Sequence, residues 1–504
     1  MDLLSNLHLG FQAALSLANL LYALAGVTIG TFIGVLPGIG PMATIAILLP
    51  LTFGLDPLAA LIMLSGIYYG SMYGSAITSI LLNTPGHAAS AVVCVDGYPL
   101  AKKGKGSVAL VLSALSSFAG GSLAIILVAA FAPMISQFAL RFSSPEYFSI
   151  MLLGLTAAAG ISQGSLLRGL AMVVFGLIVG TVGTDTTSGA QRFTFGSWDL
   201  ADGISFVILA MGFFAITEMI LNLESPKKIK LISANFTFSD IRESCRLFVR
   251  YWASVLRGFA IGAFFGALPG SGPTVSTFVA YSAELSVAKG KEKENFGKGA
   301  YQGVIGPEAA NNSASIAGFV PTLTLGIPGD AVMAMMLGAL LVFGITPGPA
   351  VIANNPTLFW GLIASLWIGN VFLLVLNIPL ISVWVKTLQI PYSYLYPAIV
   401  VFICIGVISV NNRPFDVALV AAFGAIGYLL AKLDMPMAPA LLGAILGPMI
   451  EDHFRRSLLM GRGDFAIFVS RPISAFFIIT TALIILWILY SNISRPRTPE
   501  RLQE

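Results

Sequence analysis

The chain has 504 residues, 57 % of them hydrophobic and only 10 % charged, with 27 Lys and Arg against 23 Asp and Glu. That charged share is less than half of the roughly 25 % found in ordinary soluble domains, and the mean hydropathy is +0.88. A soluble enzyme, a nucleic-acid binder and a secreted disulfide scaffold are excluded. The expected solvent is a lipid bilayer, in which a spanning helix needs about 20 mostly apolar residues.

Apolar runs predict spans or partial spans at 12–35, 42–64, 66–82, 107–135, 146–162, 167–184 and 203–222. The first follows Asp2 with no basic stretch before it, so it reads as a retained helix and not a cleaved signal. A charged segment from Glu224 to Arg257 comes next, with Lys227, Lys228, Lys230, Asp240, Arg242, Glu243, Arg246 and Arg250 among Phe236, Phe238, Phe248 and Trp252. It reads as a cytoplasmic linker carrying an interfacial amphipathic helix. A second series follows at 257–288, 301–327, 330–346, 357–385, 392–410, 414–431, 435–450 and 465–491, then a polar tail from 492 to 504. The domain reading is therefore 1–223, 224–256, 257–491 and 492–504. The fold class expected is an all-α polytopic membrane protein of roughly 10–14 membrane segments.

The two series are copies. Gly30-Thr-Phe-Ile-Gly34-Val-Leu-Pro37-Gly38-Ile-Gly40-Pro41 returns as Gly262-Ala-Phe-Phe-Gly266-Ala-Leu-Pro269-Gly270-Ser-Gly272-Pro273, every Gly and Pro matched at an offset of 232. Asn83-Thr-Pro85-Gly86-His87 is echoed by Gly326-Ile-Pro328-Gly329-Asp330, and Ser144-Pro145-Glu-Tyr147 by Ile390-Pro391-Tyr-Ser-Tyr394. Charge argues for opposite orientations. Copy one is basic after its Pro-Gly element, at Lys102, Lys103 and Lys105, where copy two is neutral from Gly344 to Asn355. Copy two is basic earlier, at Lys289, Lys291, Lys293 and Lys298, where copy one has only the stretch Leu51 to Pro57, without Lys or Arg. With basic loops on the cytoplasmic side, equivalent positions face opposite sides of the membrane. Arg168 and Arg413, at roughly matching positions, count against this.

Leu-Pro-Gly-x-Gly-Pro cannot remain an unbroken helix, because Pro lacks the N–H and clashes with the preceding turn. In hydrocarbon, the freed backbone groups survive only inside protein or against a water-filled cavity. Paired breaks of this kind are the best sequence pointer to a transporter's site, and the helix that restarts after each presents N–H donors and partial positive charge to an anion. The candidate substrate residues are Pro37, Gly38, Gly40 and Thr44 in copy one and Pro269, Gly270, Ser271, Gly272 and Thr274 in copy two. From the second paired element come Asn83, Pro328 and Gly329. The bland alternative is a pair of packing kinks, and Gly66, Gly70 and Gly74 equally suit close helix packing.

Gly306-Pro-Glu308-Ala-Ala-Asn311-Asn312-Ser313 places a carboxylate and two amides in an apolar helix, an expense that marks a cavity or a partner. Asn311, Asn312 and Ser313 suit a hard cation such as sodium or substrate hydrogen bonds, whereas Glu308 suits a proton carrier or a helix cap. These readings stand side by side. Cys94, Cys245 and Cys404 are scattered, as are His8, His87 and His453, so no metal cage or cofactor is implied. No Walker motif occurs. Gly461-Arg-Gly463-Asp464 matches an intramembrane protease string but sits among Arg455, Arg456 and Arg462 with no Tyr-Asp partner. The Gly183-Thr-Asp185-Thr-Thr-Ser-Gly189 cluster reads as a solvent-side loop.

Taken together, Gly34-Val-Leu-Pro37-Gly38-Ile-Gly40-Pro41, its copy at Gly266 to Pro273, Gly306-Pro-Glu308-Ala-Ala-Asn311-Asn312 and Asp96-Gly97-Tyr98-Pro99-Leu100-Ala101 resemble the large membrane subunit of the tripartite tricarboxylate transporters, over essentially the whole length. The resemblance implies a non-enzymatic importer of carboxylates across a bacterial inner membrane, a symporter driven by co-transported Na+ or H+. It also implies two partners, a small four-helix membrane subunit and a periplasmic solute-binding protein. A passive anion channel or export conduit is the alternative, and a homodimer stays open.

Overall fold

The computed structural model describes residues 3–36, 39–161, 166–185, 187–224, 237–268, 272–387 and 392–494. The fold is all-α and polytopic. Among the described residues the only β structure is a two-residue antiparallel ladder, Gly183–Thr184 on Gln191–Arg192. Among the described residues, five helical stretches are long and apolar enough to cross a membrane: Leu17–Gly34, Ala88–Ala139, Phe206–Glu224, Pro356–Asn377 and Pro414–Lys432. Helix Gly106–Ala139 alone has 34 residues, or about 50 Å at 1.5 Å per residue. It runs well past the ~30 Å hydrocarbon core.

One expected boundary differs. The runs at 42–64 and 66–82 are instead a half-helix, Pro41–Leu48, a short 3-10 turn, and one continuous helix, Pro57–Leu82. The eight residues of Pro41–Leu48 cover only about 12 Å, so this segment enters the protein without crossing a bilayer. The break falls where Asp56 caps the new helix by accepting from Leu58 N, with Pro57 at its first position. The linker carries a helix within its expected bounds. Helix Phe238–Arg250, opened by a Thr237–Asp240 capping box, lies against helix Gly106–Ala139. Lys105 pairs with Glu243 at 2.7 Å, and Ser244 Oγ donates to Val108 O. Residues 225–236 and the tail from 495 are outside the described residues.

Glycines set the closest helix pairs, in both copies. Gly30 and Gly34 of helix Leu17–Gly34 meet Gly70 and Gly74 of helix Pro57–Leu82 backbone to backbone; a Cβ on Gly30 would stand 2.4 Å from Ile67 O. In copy two, Gly258, Gly262 and Gly266 of helix Trp252–Ala267 press on Gly306, Ala310 and Ala314 of helix Gln302–Ala317. There a Cβ would stand 2.3 Å from each facing carbonyl. Without a hydrophobic force between helices in lipid, such close contact is what holds them together. Two buried carboxylates are ion-paired. Glu284, 2 % exposed, takes Arg257 Nε and Nη2 at 2.7 Å each, and Glu146, also 2 % exposed, holds Arg471 and the Ser143 N–H and hydroxyl.

Candidate functional site

The two copies build the same local device. Helix Pro57–Leu82 ends at Asn83 in the left-handed conformation (φ 55°), and helix Phe319–Leu325 ends likewise at Gly326 (φ 70°); Asn and Gly are the residues that tolerate it. A Pro-Gly turn follows in each case, and then a new helical start capped by its own side chain. His87 Nδ1 accepts from Ser90 N at 3.0 Å, and Asp330 Oδ1 accepts from Met333 N at 2.8 Å. Each helix break lies against the turn of its own copy: Gly40 stands beside Gly86 and His87, and Gly272 beside Asp330. Gly272 has φ +49°, and a Cβ there would stand 2.9 Å from Asp330 Cβ, so only glycine fits.

The copies then interlock. Helix Pro41–Leu48 of copy one packs on helix Ala331–Val342 of copy two, and helix Gly272–Val287 of copy two packs on the Ala88–Ser90 turn of copy one. Both caps reach the same stretch of helix Pro57–Leu82. Tyr68 OH donates to Asp330 Oδ2 at 3.3 Å, and one turn later Met72 Sδ lies against His87 Nε2. This convergence on Tyr68 and Met72 was not legible from spacing, because it depends on contacts between distant segments.

The expected substrate residues fall as follows. Pro37, Gly38, Pro269, Gly270 and Ser271 are outside the described residues. Gly40 is the N-cap of helix Pro41–Leu48 with no side-chain cap of its own, which leaves the first amides to an outside acceptor. Thr44 is buried, and its hydroxyl folds back onto Gly40 O at 2.9 Å. Gly272, Pro328 and Gly329 are buried at the junction, and Thr274 is half-buried. Asn83 is exposed at the helix end.

The residues singled out for a cation lie on helix Gln302–Ala317 and are all buried: Glu308 1 %, Asn311 2 %, Asn312 3 % and Ser313 0 % exposed. Their side chains have different partners. Ser313 Oγ turns to helix Trp252–Ala267 and donates to Phe259 O, and Asn312 Nδ2 bonds weakly to Glu308 O. Glu308 faces helix Gly106–Ala139, where Ser117 Oγ donates to its Oε2 at 2.8 Å. Nearby, Tyr73 OH donates to Asn370 Oδ1, whose amide donates to Phe118 O and Ser122 Oγ. Asp96, in the motif that carried the family resemblance, caps the approach to this helix from the other copy. It accepts from Gly299 N and Ala300 N at 2.8 Å each and from Tyr281 OH at 2.9 Å. A buried lone carboxylate in an apolar helix was the sequence signal for it.

Two crevices lie elsewhere. One of about 460 Å³ is lined by Tyr147, Leu325, Pro347 and His453. The other, about 400 Å³, is bordered by Asp185, Arg192, Arg413 and Arg455. In the second, Arg192 and Arg455 bridge Asp185 and Glu451 at 2.6–3.0 Å. The Ser188 hydroxyl and both guanidinium groups hold the Asp185 carboxyl well below the usual carboxylate range.

Residues 20–442 match the model of the tripartite tricarboxylate transporter TctA family. The chain belongs to that family. It is 48 % identical over 480 residues to an uncharacterized 52.8 kDa protein of Agrobacterium vitis from the TAR-I ttuC' 3' region, a match covering 94 % of each chain. It is also 51 % identical over 214 residues to a protein from the TAR-II ttuC' 3' region of the same organism, covering 42 % of this chain and 88 % of the relative. No solved structure matches. The TctA family member is thus a multi-pass membrane protein of a transporter family.

Proposed function

We propose that the chain is the large permease subunit of a binding-protein-dependent secondary transporter. It imports tricarboxylates or related organic carboxylates across a bacterial inner membrane on a sodium or proton gradient. In this reading it works with a small four-helix membrane subunit and a periplasmic solute-binding protein, its two repeats lie in opposite orientations, and the substrate binds where the Pro-Gly elements of both copies meet. The observation that carries the reading is the convergence of both turns on Tyr68 and Met72, beside a helix start at Gly40 that no side chain caps. An uncapped helix N-terminus offers N–H donors and about half a positive charge to a carboxylate, and no Lys or Arg lies within either Pro-Gly element.

The test is labelled citrate uptake into proteoliposomes containing the chain, the small subunit and the binding protein, under imposed sodium or proton gradients and under none. Uphill accumulation under one gradient supports the reading. Equilibration that ignores both gradients refutes it in favour of a passive conduit.

A further inference from the structure

Two fully buried carboxylates face no counter-charge, and of these Asp96 is satisfied by Gly299 N, Ala300 N and Tyr281 OH whereas Glu308 is not. Glu308 Oε2 accepts from Ser117, but Oε1 is fully buried and has no partner among the described residues. One turn on, on the same face, Asn311 Oδ1 is buried and equally without a partner.

The groups facing this helix supply no cation. Helices Gly106–Ala139 and Pro356–Asn377 carry no charged residue, and the titratable residues of helix Pro57–Leu82 are the tyrosines Tyr68, Tyr69 and Tyr73, none of them a cation. Arg257, on helix Trp252–Ala267, is bound through two guanidinium nitrogens to Glu284 of helix Gly272–Val287. At the helix start, beside Tyr301, Lys105 pairs with Glu243, and Asp96 is occupied by two backbone amides and Tyr281. An ionised carboxylate with only the neutral hydroxyls of Ser117 and Ser113 beside it is expensive by several kcal/mol in such surroundings. Either a metal ion or a proton must neutralise it.

The oxygen inventory decides between them. A hard metal cation takes roughly six or more oxygens. On this helix the unpartnered acceptors are two, Glu308 Oε1 and Asn311 Oδ1; even with Ser116 Oγ of helix Gly106–Ala139 and Tyr69 OH of helix Pro57–Leu82 counted in, the unpartnered oxygens fall short of six, because Tyr73 and Asn370 bond each other and Ser313 faces the opposite helix. A proton needs a single oxygen. We propose that Glu308 is a proton-binding site, and, resting on the transport reading above, that it is the group whose protonation couples carboxylate entry to a proton gradient. The proton arrives from water on one side and forms the O–H bond at the carboxylate, leaving a neutral carboxyl. It returns to water on the other side when that bond breaks, and no other reactant is involved.

Infrared difference spectroscopy of the full chain in lipid nanodiscs tests the site without any substrate. The wild-type protein at neutral pH should show a protonated-carboxyl band that Glu308→Gln lacks. A wild-type spectrum without it, or an identical Glu308→Gln spectrum, overturns the proposal. Ser117→Ala keeps the carboxyl and removes a donor that favours its ionised form, so the band should persist to higher pH than in the wild type; an unmoved titration counts against the site. In proteoliposomes with the partner subunits, a pH-sensitive dye should report protons entering with labelled citrate, and Glu308→Gln should lose that proton movement. Citrate entry with the same proton movement in Glu308→Gln overturns the coupling role. Absence of citrate entry in the wild type would instead strike the transport reading, and the infrared band would still decide the site.

Discussion

Gly262→Ala should destabilise the fold through one methyl group. Its Cβ would stand 2.3 Å from Ala310 O and 2.8 Å from both Ala310 Cα and Ser313 Cβ, where ordinary contact begins at 3.4 Å. Helices Trp252–Ala267 and Gln302–Ala317 must then part by about 1 Å, a gap that forfeits a quarter to a half of each contact's attraction. Overpacking of this sort costs about 1–3 kcal/mol. The crossings on either side, at Gly258 and Gly266, are equally tight, and loosening them adds roughly 1–2 kcal/mol at 0.1–0.2 kcal/mol per atom pair. Alanine's better helix propensity returns about 1 kcal/mol. The net loss is about 2 kcal/mol, read as a fall of several degrees in the melting temperature of the protein in detergent or nanodiscs. Gly369→Ala is the control: its Cβ would meet Val27 Cγ1 at an ordinary 3.6 Å, so propensity alone should act and raise stability by about 0.5–1 kcal/mol. A Gly262→Ala protein that melts with the wild type, or a Gly369→Ala protein that falls as far, would refute the close-contact argument.

Asp96→Ala strips the acceptor from Gly299 N, Ala300 N and Tyr281 OH. With about 1–3 kcal/mol for each orphaned buried group, it should lower the melting temperature sharply and speed hydrogen exchange at the start of helix Gln302–Ala317; unchanged exchange there would show that Asp96 does not cap it. In the solvent-side loop, Asp185 has a folded pKa below its unfolded value, so its contribution is present above the ordinary carboxylate range near pH ~3.9 and is lost as pH falls through the lower folded value. Limited proteolysis between Gly180 and Ser205 should therefore be equally slow at pH 7 and pH 5 in the wild type and faster at both in Asp185→Asn. Loosening of the wild-type loop between those two values would contradict the ion-pair account.

What the sequence made legible is what local chemistry dictates. Pro-Gly strings cannot continue a helix, so the two breaks and their duplication could be read directly, and the lone carboxylate at Glu308 declared itself by its expense in an apolar segment. The division between Pro41–Leu48 and Pro57–Leu82 was also written there, in Asp56-Pro57, a capping residue followed by proline at the first helical position. Hydropathy, which runs nearly unbroken across it, masks that signal. The partners of each group were not legible. That Asp96 serves a helix some two hundred positions further on, that Tyr68 meets Asp330, and that Ser117 and not Asn312 attends Glu308 are consequences of helix packing, which apolar periodicity leaves undetermined when whole helices are buried.

The same contacts bear on how the candidate site could move. Each break is seated against its own Pro-Gly turn, but each short helix that leaves a break is packed on the other copy, Pro41–Leu48 on Ala331–Val342 and Gly272–Val287 on Ala88–Ser90. Asp96 ties copy one to Tyr281 and to the approach to helix Gln302–Ala317, and Tyr68 ties it to Asp330. The glycine crossings within each copy permit little sliding, because close-packed backbones behave as discrete arrangements and not as a continuously deformable medium. Displacing one break alone would open buried hydrogen bonds of the other copy, at about 1–3 kcal/mol for each group left unpaired. Moving both as a body opens none of them. The economical motion for these elements is therefore a joint one, which keeps Glu308 and the Tyr68–Met72 junction in fixed relation while their surroundings change.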